Sequence, residues 1–357
     1  MTSRCAQPFS MEKPVGLSPS QRQSIWPTMP PIAIFLALLI LLLSPVADAQ
    51  SNTSHAKGDV PLFRAGVSDV RVDVQVTEGN RPVTDLTASD FKITDDGQPQ
   101  NIIYFSRERE PLAVLLLLDI SGSMRKHIEE MAETAREALG YLTPGDRVAI
   151  MVFARRSAVH MDFTDNHAEA ARQISSAVED QRVGATTNIN SAVLDAANYI
   201  DENSSHLWRR AILMLTDNLG TNYKLPDDVV TGRLLSADIV FNAIVEGRGI
   251  RPGAPKPDQQ QNPDFTPADV FKFAEWTGGD AMKASGQIPF AEMIEKIRDR
   301  YTLEYHAPEA RPQEFRRIAV DLTDAARMRH RTAEVHARNG YYASSLPSTS
   351  SGSSSGT

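Results

Sequence analysis

The chain has 357 residues, 41% of them apolar and 23% charged, with a formal charge of −8. That length carries about two domains with real cores, and the acidic balance disfavours a phosphate backbone as partner, so no nucleic acid is expected. The single cysteine, Cys5, lies in the N-terminal segment described next, so the rest of the chain has no disulfide, thiolate metal site or cysteine nucleophile.

Ile32–Leu43 (IAIFLALLILLL) is a 12-residue apolar run, short for a membrane span. Ser44, Pro45 and an A-x-A pattern, Ala47-Asp48-Ala49, follow it. Residues 1–49 therefore read as a cleaved secretory signal peptide, with an uncleaved anchor as the alternative. A start at Met11 leaves Lys13 and Arg22 as the basic residues of that signal. The absence of a cysteine after the run argues against lipid anchoring. The mature chain is expected to be secreted or periplasmic, in the cell envelope, with no stable membrane span.

Residues 50–59 read as a polar linker. Val70–Val76 (VRVDVQV) alternates with period two, the mark of a half-buried strand, and short strands follow around the Asp96-Gly97 turn and in NIIYFS. Residues 60–108 thus look all-β, with a core too thin to stand alone. From Pro111 strands and helices alternate. Leu112–Leu118 is a continuous apolar strand of the kind buried on both faces of a parallel sheet. Ile128, Met131, Ala132, Ala135 and Leu139 share a helical face. RVAIMVF and SAVHMDF read as strands with no helix between them. Helices are predicted near 167–178, 190–201, 267–276 and 288–299, and buried strands in RRAILMLTDN and Asp238–Val245. A loop rich in Gly, Pro and Gln spans Glu246–Phe265, and such a long loop is a functional rim or disordered.

The pattern predicts a doubly wound, mostly parallel, Rossmann-like α/β sheet over 111–299. Residues 300–343 turn β again (RYTLEYHA, FRRIAVDLT, RTAEVHARNGYY). They are expected to pair with 60–108, so that the α/β domain is inserted in a small β-sandwich-like domain made of N- and C-terminal strands. Residues 344–357 form a Ser-rich tail expected to be disordered.

Candidate ligands cluster where an open α/β sheet binds, beyond the carboxyl ends of its strands. Asp119, Ser121 and Ser123 (D-x-S-x-S) follow the first strand, Thr186 and Thr187 sit in a Gly-initiated loop, and Asp217 ends a later strand. One carboxylate and two hydroxyls on alternate residues can converge on a hard cation such as Mg²⁺ (or Mn²⁺/Ca²⁺). A cation with so few anionic ligands suits an additional carboxylate from a partner. The competing reading is a helix cap, since Asp and Ser also satisfy free helix N–H groups.

These residues resemble the metal-ion-dependent adhesion site (MIDAS) of von Willebrand factor type A (VWA) domains, which reads D-x-S-x-S, a later Thr and a later Asp. The resemblance implies metal ligation by Asp119, Ser121, Ser123, Thr187 and Asp217. Thr187 fits the register better, being followed by Asn-Ile and then by the small-apolar pair Ala192-Val193; Thr186 is the alternative. Where these domains read T-D-G this chain has Thr216-Asp217-Asn218. Asn accepts left-handed angles better than most non-Gly residues, so the loop is expected to survive with altered geometry. Over about residues 62–343 the flanking strands also resemble the acidobacterial VWFA-related domain family.

The resemblance implies an exported, non-enzymatic binding or adhesion protein that takes Asp or Glu of a protein partner onto its cation. The alternative is a structural or assembly component of the cell envelope with a vestigial metal site. A metal-assisted hydrolase would need a general base near the ligands, and none is evident. Before the Ser-rich tail, where Gly352–Gly356 matches by low complexity alone, the chain has no G-x-S-x-G, and it has no H-E-x-x-H or phosphate-loop motif; His306 and His336 fall in predicted strands as structural residues. The pairs Arg125-Lys126 and Arg155-Arg156 are expected near the metal edge, as solvated charge or as steering groups for an acidic partner.

Overall fold

The computed structural model describes residues 69–343 apart from 80, 248, 254–264 and 285–288. The expected signal peptide 1–49, the expected linker 50–59 and the expected tail 344–357 lie outside the described residues. The chain opens with β1 (Asp69–Glu78), β2 (Arg81–Pro82), β3 (Phe91–Asp95), β4 (Gln98–Gln100) and β5 (Ile102–Ser106). Next come β6 (Leu112–Asp119), α1 (Ile128–Leu139), β7 (Arg147–Phe153), β8 (Ser157–Thr164), α2 (His167–Ala177) and α3 (Ile189–Asn203). Then follow β9 (Arg209–Thr216), β10 (Thr221–Tyr223), α4 (Asp227–Ser236), β11 (Ile239–Val245) and β12 (Phe265–Pro267). After α5 (Val270–Thr277), β13 (Ala281–Lys283) and α6 (Pro289–Arg298), the chain ends in β14 (Tyr301–His306), β15 (Phe315–Leu322), α7 (Asp324–Arg329), β16 (Ala333–His336) and β17 (Gly340–Tyr342).

A six-stranded sheet runs in the order β13-β11-β9-β6-β7-β8. Its strands are parallel except β8, which returns antiparallel beside β7 and makes the sheet mixed at that edge. All eight residues of β6 are buried, because helices cover both faces. Leu112, Val114, Leu116 and Leu118 pack with residues of α1, α2 and α6, while Leu115 and Leu117 pack with α3, α4 and α5. Each buried leucine contributes about 1.5–3 kcal/mol relative to exposure. The chain leaves β6 toward β7 and returns at β9, so the strand order reverses at the β6–β9 boundary. A crevice at such a reversal is where ligands of open α/β sheets bind.

Two antiparallel sheets share a separate core that includes Val70, Val72, Val74, Phe91, Ile93, Leu303, Tyr305, Ile318 and Leu322. One runs β16-β1-β14-β5 with β2 beside β1, and the other β17-β15-β3-β4. In both, strands from before the α/β segment pair with strands from after it, as in Val72 opposite Leu303 and Ile93 opposite Val320.

The alternation in β1 suggested one solvated face, yet Gln75 and Thr77 are buried as well. The polar side of β1 faces the α/β layer: Gln75 Nε2 donates to the Lys296 carbonyl at 3.0 Å. Buried Arg209, at the start of β9, donates to Asp73 Oδ2 at 2.9 Å and to the Arg298 carbonyl at 2.8 Å. Burial alone would raise the Asp73 carboxyl, but the Arg209 and Arg71 guanidiniums hold it well below the usual carboxylate range.

Three local differences have physical causes. Helix α4 is not among the helices expected from the sequence, because its segment, DDVVTGRLLS, contains Gly232 mid-helix, which weakens the helical pattern. That glycine leaves room for Tyr342, whose hydroxyl lies 3.0 Å from where a Cβ would stand. Helix α5 starts at Val270 rather than near 267, because Pro267 pairs with Thr221 in the β10–β12 ribbon and Asp269 caps the Lys272 N–H. RTAEVHARNGYY divides into β16 and β17, which join different sheets, and between them the Asn339 N–H donates to the Trp276 carbonyl.

Candidate metal centre

The greasy strand β6 carries Asp119 to the carboxyl edge and buries it completely. Two bonds fix its carboxylate: the Ser121 N–H donates to Oδ1 at 3.0 Å, and the Thr216 hydroxyl donates to Oδ2 at 2.7 Å. Burial pushes the Asp119 carboxyl up to about 6; the Thr216 and Ser121 hydrogen bonds oppose the rise, and the Asp217 charge adds to it. A carboxylate held in this way gains from a nearby cation.

Ser121 is buried and Ser123 exposed, with their hydroxyl oxygens 3.3 Å apart. Ser123 precedes the short 3₁₀ turn Met124–Lys126, but its side chain makes no cap bond there. The Ser123 hydroxyl thus faces Ser121 rather than capping that turn. The Gly122 N–H donates to the Ala185 carbonyl at 3.0 Å, which ties this turn to the threonine loop.

On that loop Thr186 is exposed and Thr187 half-buried, and the side chain of Thr187 packs on Gly220 just beyond Asp217. Asp217 is buried and accepts the Leu219 N–H at 3.0 Å on Oδ1. Asp119 thus ends β6, while Ser121, Ser123, Thr186, Thr187 and Asp217 lie on the loops after β6, before α3 and after β9. Among the described residues no cluster of three or more His, Asp, Glu or Cys side chains could hold a metal. The donor set here is two carboxylates with serine and threonine hydroxyls, all hard oxygens, which fits a Mg²⁺-like ion better than a soft one.

Asn218 adopts φ +52°, the left-handed turn that glycine would supply in T-D-G. Its side chain does more: Nδ2 donates to the Ile250 carbonyl at 3.1 Å, and Oδ1 accepts the Val270 N–H at 3.3 Å. The loop after β11 is thereby held over the site. Gly249 lies so close that a Cβ there would stand 2.2 Å from the Asp217 carbonyl oxygen. Sequence reading gave no role to Thr216, whose hydroxyl both donates to Asp119 and accepts the Asn218 N–H. Its place at the end of β9, directly before Asp217, is the signal the sequence carries.

Arg125, Lys126, Arg155 and Arg156 are exposed, on the turn after Ser123 and on the β7–β8 turn. Arg155 lines a cavity of about 880 Å³ together with Thr186 and Thr187. The Arg156 N–H donates to the Val183 carbonyl at 3.0 Å, which joins that turn to the threonine loop.

The sheet is doubly wound, with oxygen-bearing side chains at its strand reversal. Residues 114–220 match the family model of the von Willebrand factor type A domain, and this part of the chain has a VWA-like α/β fold. Similar solved structures include an aerotolerance-related membrane protein from Bacteroides fragilis, at 18% identity over 52% of this chain and 98% of that one, with a TM-score of 0.42. A von Willebrand factor type A protein from Catenulispora acidiphila is 11% identical over 73% of this chain and 72% of its own, with a TM-score of 0.40. Proximal thread matrix protein 1 from the mussel byssus, with a zinc-occupied MIDAS motif, is 12% identical over 58% of this chain and 50% of its own, with a TM-score of 0.42. A search of the curated proteins finds no match.

Proposed function

We propose that this is an exported, non-enzymatic binding protein whose VWA domain holds a divalent cation, Mg²⁺ by the hardness of its donors. Asp119, Ser121, Ser123, Thr187 and Asp217 would hold the ion, with Thr186 as the alternative to Thr187. When bound, the ion supplies a Lewis-acidic position for an Asp or Glu of a protein partner. The observation that carries this reading is the pair of serine hydroxyls, 3.3 Å apart beside a fully buried carboxylate, with Ser123 making no cap bond to the turn that follows it. Export rests on residues 1–49 of the sequence; among the described residues, no helix is long and apolar enough to cross a membrane. In this reading the β strands before and after the α/β segment form one discontinuous domain that carries the VWA domain.

One observation favours a second reading, a structural or assembly component of the cell envelope with a vestigial site. Both Asp119 oxygens already accept protein hydrogen bonds, an arrangement that stands without an ion. Thermal unfolding separates the two. A ligand at one hundred times its Kd adds about 2.7 kcal/mol to the native state. Millimolar Mg²⁺ or Mn²⁺ is therefore expected to raise the Tm of the mature chain, EDTA to reverse the rise, and Asp119→Ala to abolish it. A Tm indifferent to both cations supports the vestigial site. A pull-down from the native envelope, with and without chelator, then tests whether partner capture follows the ion.

A further inference from the structure

The cavity beside the metal edge has a composition that the cation alone does not explain. Thr187, one of the proposed ligands, forms part of its wall, so the cavity opens directly from the site. Moving away from Thr187, the lining becomes apolar: Leu219, Tyr223 and Ile250 face it and are 56%, 53% and 65% exposed, with Pro252 and Pro267 beside them. Large apolar side chains this exposed, gathered around one concavity, mark a binding surface better than scattered ones do. Among the described residues that line it, Arg155 is the one charged side chain and none is acidic, in a chain whose net charge is −8. The groove is therefore set up for an apolar group accompanied by negative charge.

The groove is also built rather than accidental. Asn218 bonds the Ile250 carbonyl on one side and the Val270 N–H on the other, and Gly249 seats the same loop against the Asp217 backbone. The β10–β12 ribbon supplies Tyr223 and Pro267 as paired strands, so that wall is held by backbone hydrogen bonds. Binding to a preformed groove spends little on ordering the protein.

We propose that the partner presents an extended segment in which the metal-bound Asp or Glu is adjacent to an aromatic or large aliphatic residue, and that this residue fills the groove of Leu219, Tyr223 and Ile250. Arg155 favours acidic segments over neutral ones. The inference rests on the cation reading above and adds the side-chain specificity that the cation cannot supply.

The test uses the chain from Gln50 onward and fluorescein-labelled hexapeptides, read by fluorescence anisotropy in Mg²⁺ and in EDTA. Gly-Gly-Glu-Phe-Gly-Gly and Gly-Phe-Glu-Gly-Gly-Gly are compared with Gly-Gly-Glu-Gly-Gly-Gly and with the Gln versions of all three. Burial of one phenylalanine is expected to tighten binding about tenfold or more for at least one Phe peptide. Leu219→Ser with Tyr223→Ser is expected to remove that advantage while the Mg²⁺ titration of the protein stays unchanged. If Mg²⁺ binds but the Glu peptides bind equally with and without Phe, or none binds, the groove assignment fails and the cation reading stands. If Mg²⁺ itself does not bind, the cation reading fails and takes the groove assignment with it.

Discussion

Asn218 shows how a single residue serves backbone and side chain at once. Its φ of +52° costs an ordinary L-residue about 1–2 kcal/mol, and its amide holds two separate segments over the site. Asn218→Gly keeps the turn and loses the two bonds, whereas Asn218→Ala loses both bonds and adds the strain. Urea unfolding should therefore rank the chain in the order wild type, Asn218→Gly, Asn218→Ala, with the last two about 1 kcal/mol apart. Equal midpoints for the two variants would mean that the left-handed turn relaxes without cost. The turn was legible in the sequence, since Asn in place of Gly before a loop points to positive φ. The bracing was not, because Ile250 and Val270 lie 32 and 52 residues away and nothing local names them. The same holds for Asp119: its place at the end of an apolar strand was readable, but the Thr216 hydroxyl that fixes it comes from 97 residues downstream.

Among the elements, α6 bears most on how the α/β layer joins the β strands. Arg298 at its end is buried and pairs with buried Asp146 at 2.7 Å, and the Asp146 carboxylate also accepts the Leu112 and Thr143 N–H groups. Burial alone would raise the Asp146 carboxyl, but Arg298 and these N–H groups hold it below the ordinary range. Arg298→Met leaves that carboxylate buried without its cation and is expected to cost about 3–5 kcal/mol. A loss under 1 kcal/mol in urea unfolding would show that the pair is dispensable. Asp73 makes a pH-dependent contribution between the layers. Its folded pKa is depressed, so its stabilisation is complete above the unfolded value of about 4 and is lost as pH falls through the folded value. Asp73→Asn is expected to lower stability at pH 7 and to flatten the fall in urea midpoint below about pH 4. An acid limb as steep as wild type would assign that fall to other carboxylates. The sequence showed β1 as an alternating strand but could not show that its polar face meets a second layer, since alternation is the same whether that face meets water or Arg209.

At the scale of the molecule, strands separated by the whole α/β segment share two sheets and one core. Cleavage within the exposed stretch Arg107–Arg109 should therefore leave the two fragments associated until denaturant is added. An N-terminal fragment that separates under native conditions would contradict the pairing of Val72 with Leu303 and Ile93 with Val320. The pairing of strands from the two ends was legible because both β sets were too small to stand alone, whereas the division of RTAEVHARNGYY between two sheets was not, since each half pairs with distant strands. The sheet, its strand reversal and the edge loops all serve one claim, that a hard cation sits beside Asp119. Isothermal titration of Mg²⁺ into the chain from Gln50 onward tests it most directly. One saturable site is expected in the wild type, retained in Asn218→Gly and lost in Asp119→Ala; heats of dilution alone in the wild type, or unchanged binding in Asp119→Ala, would rule the cation out.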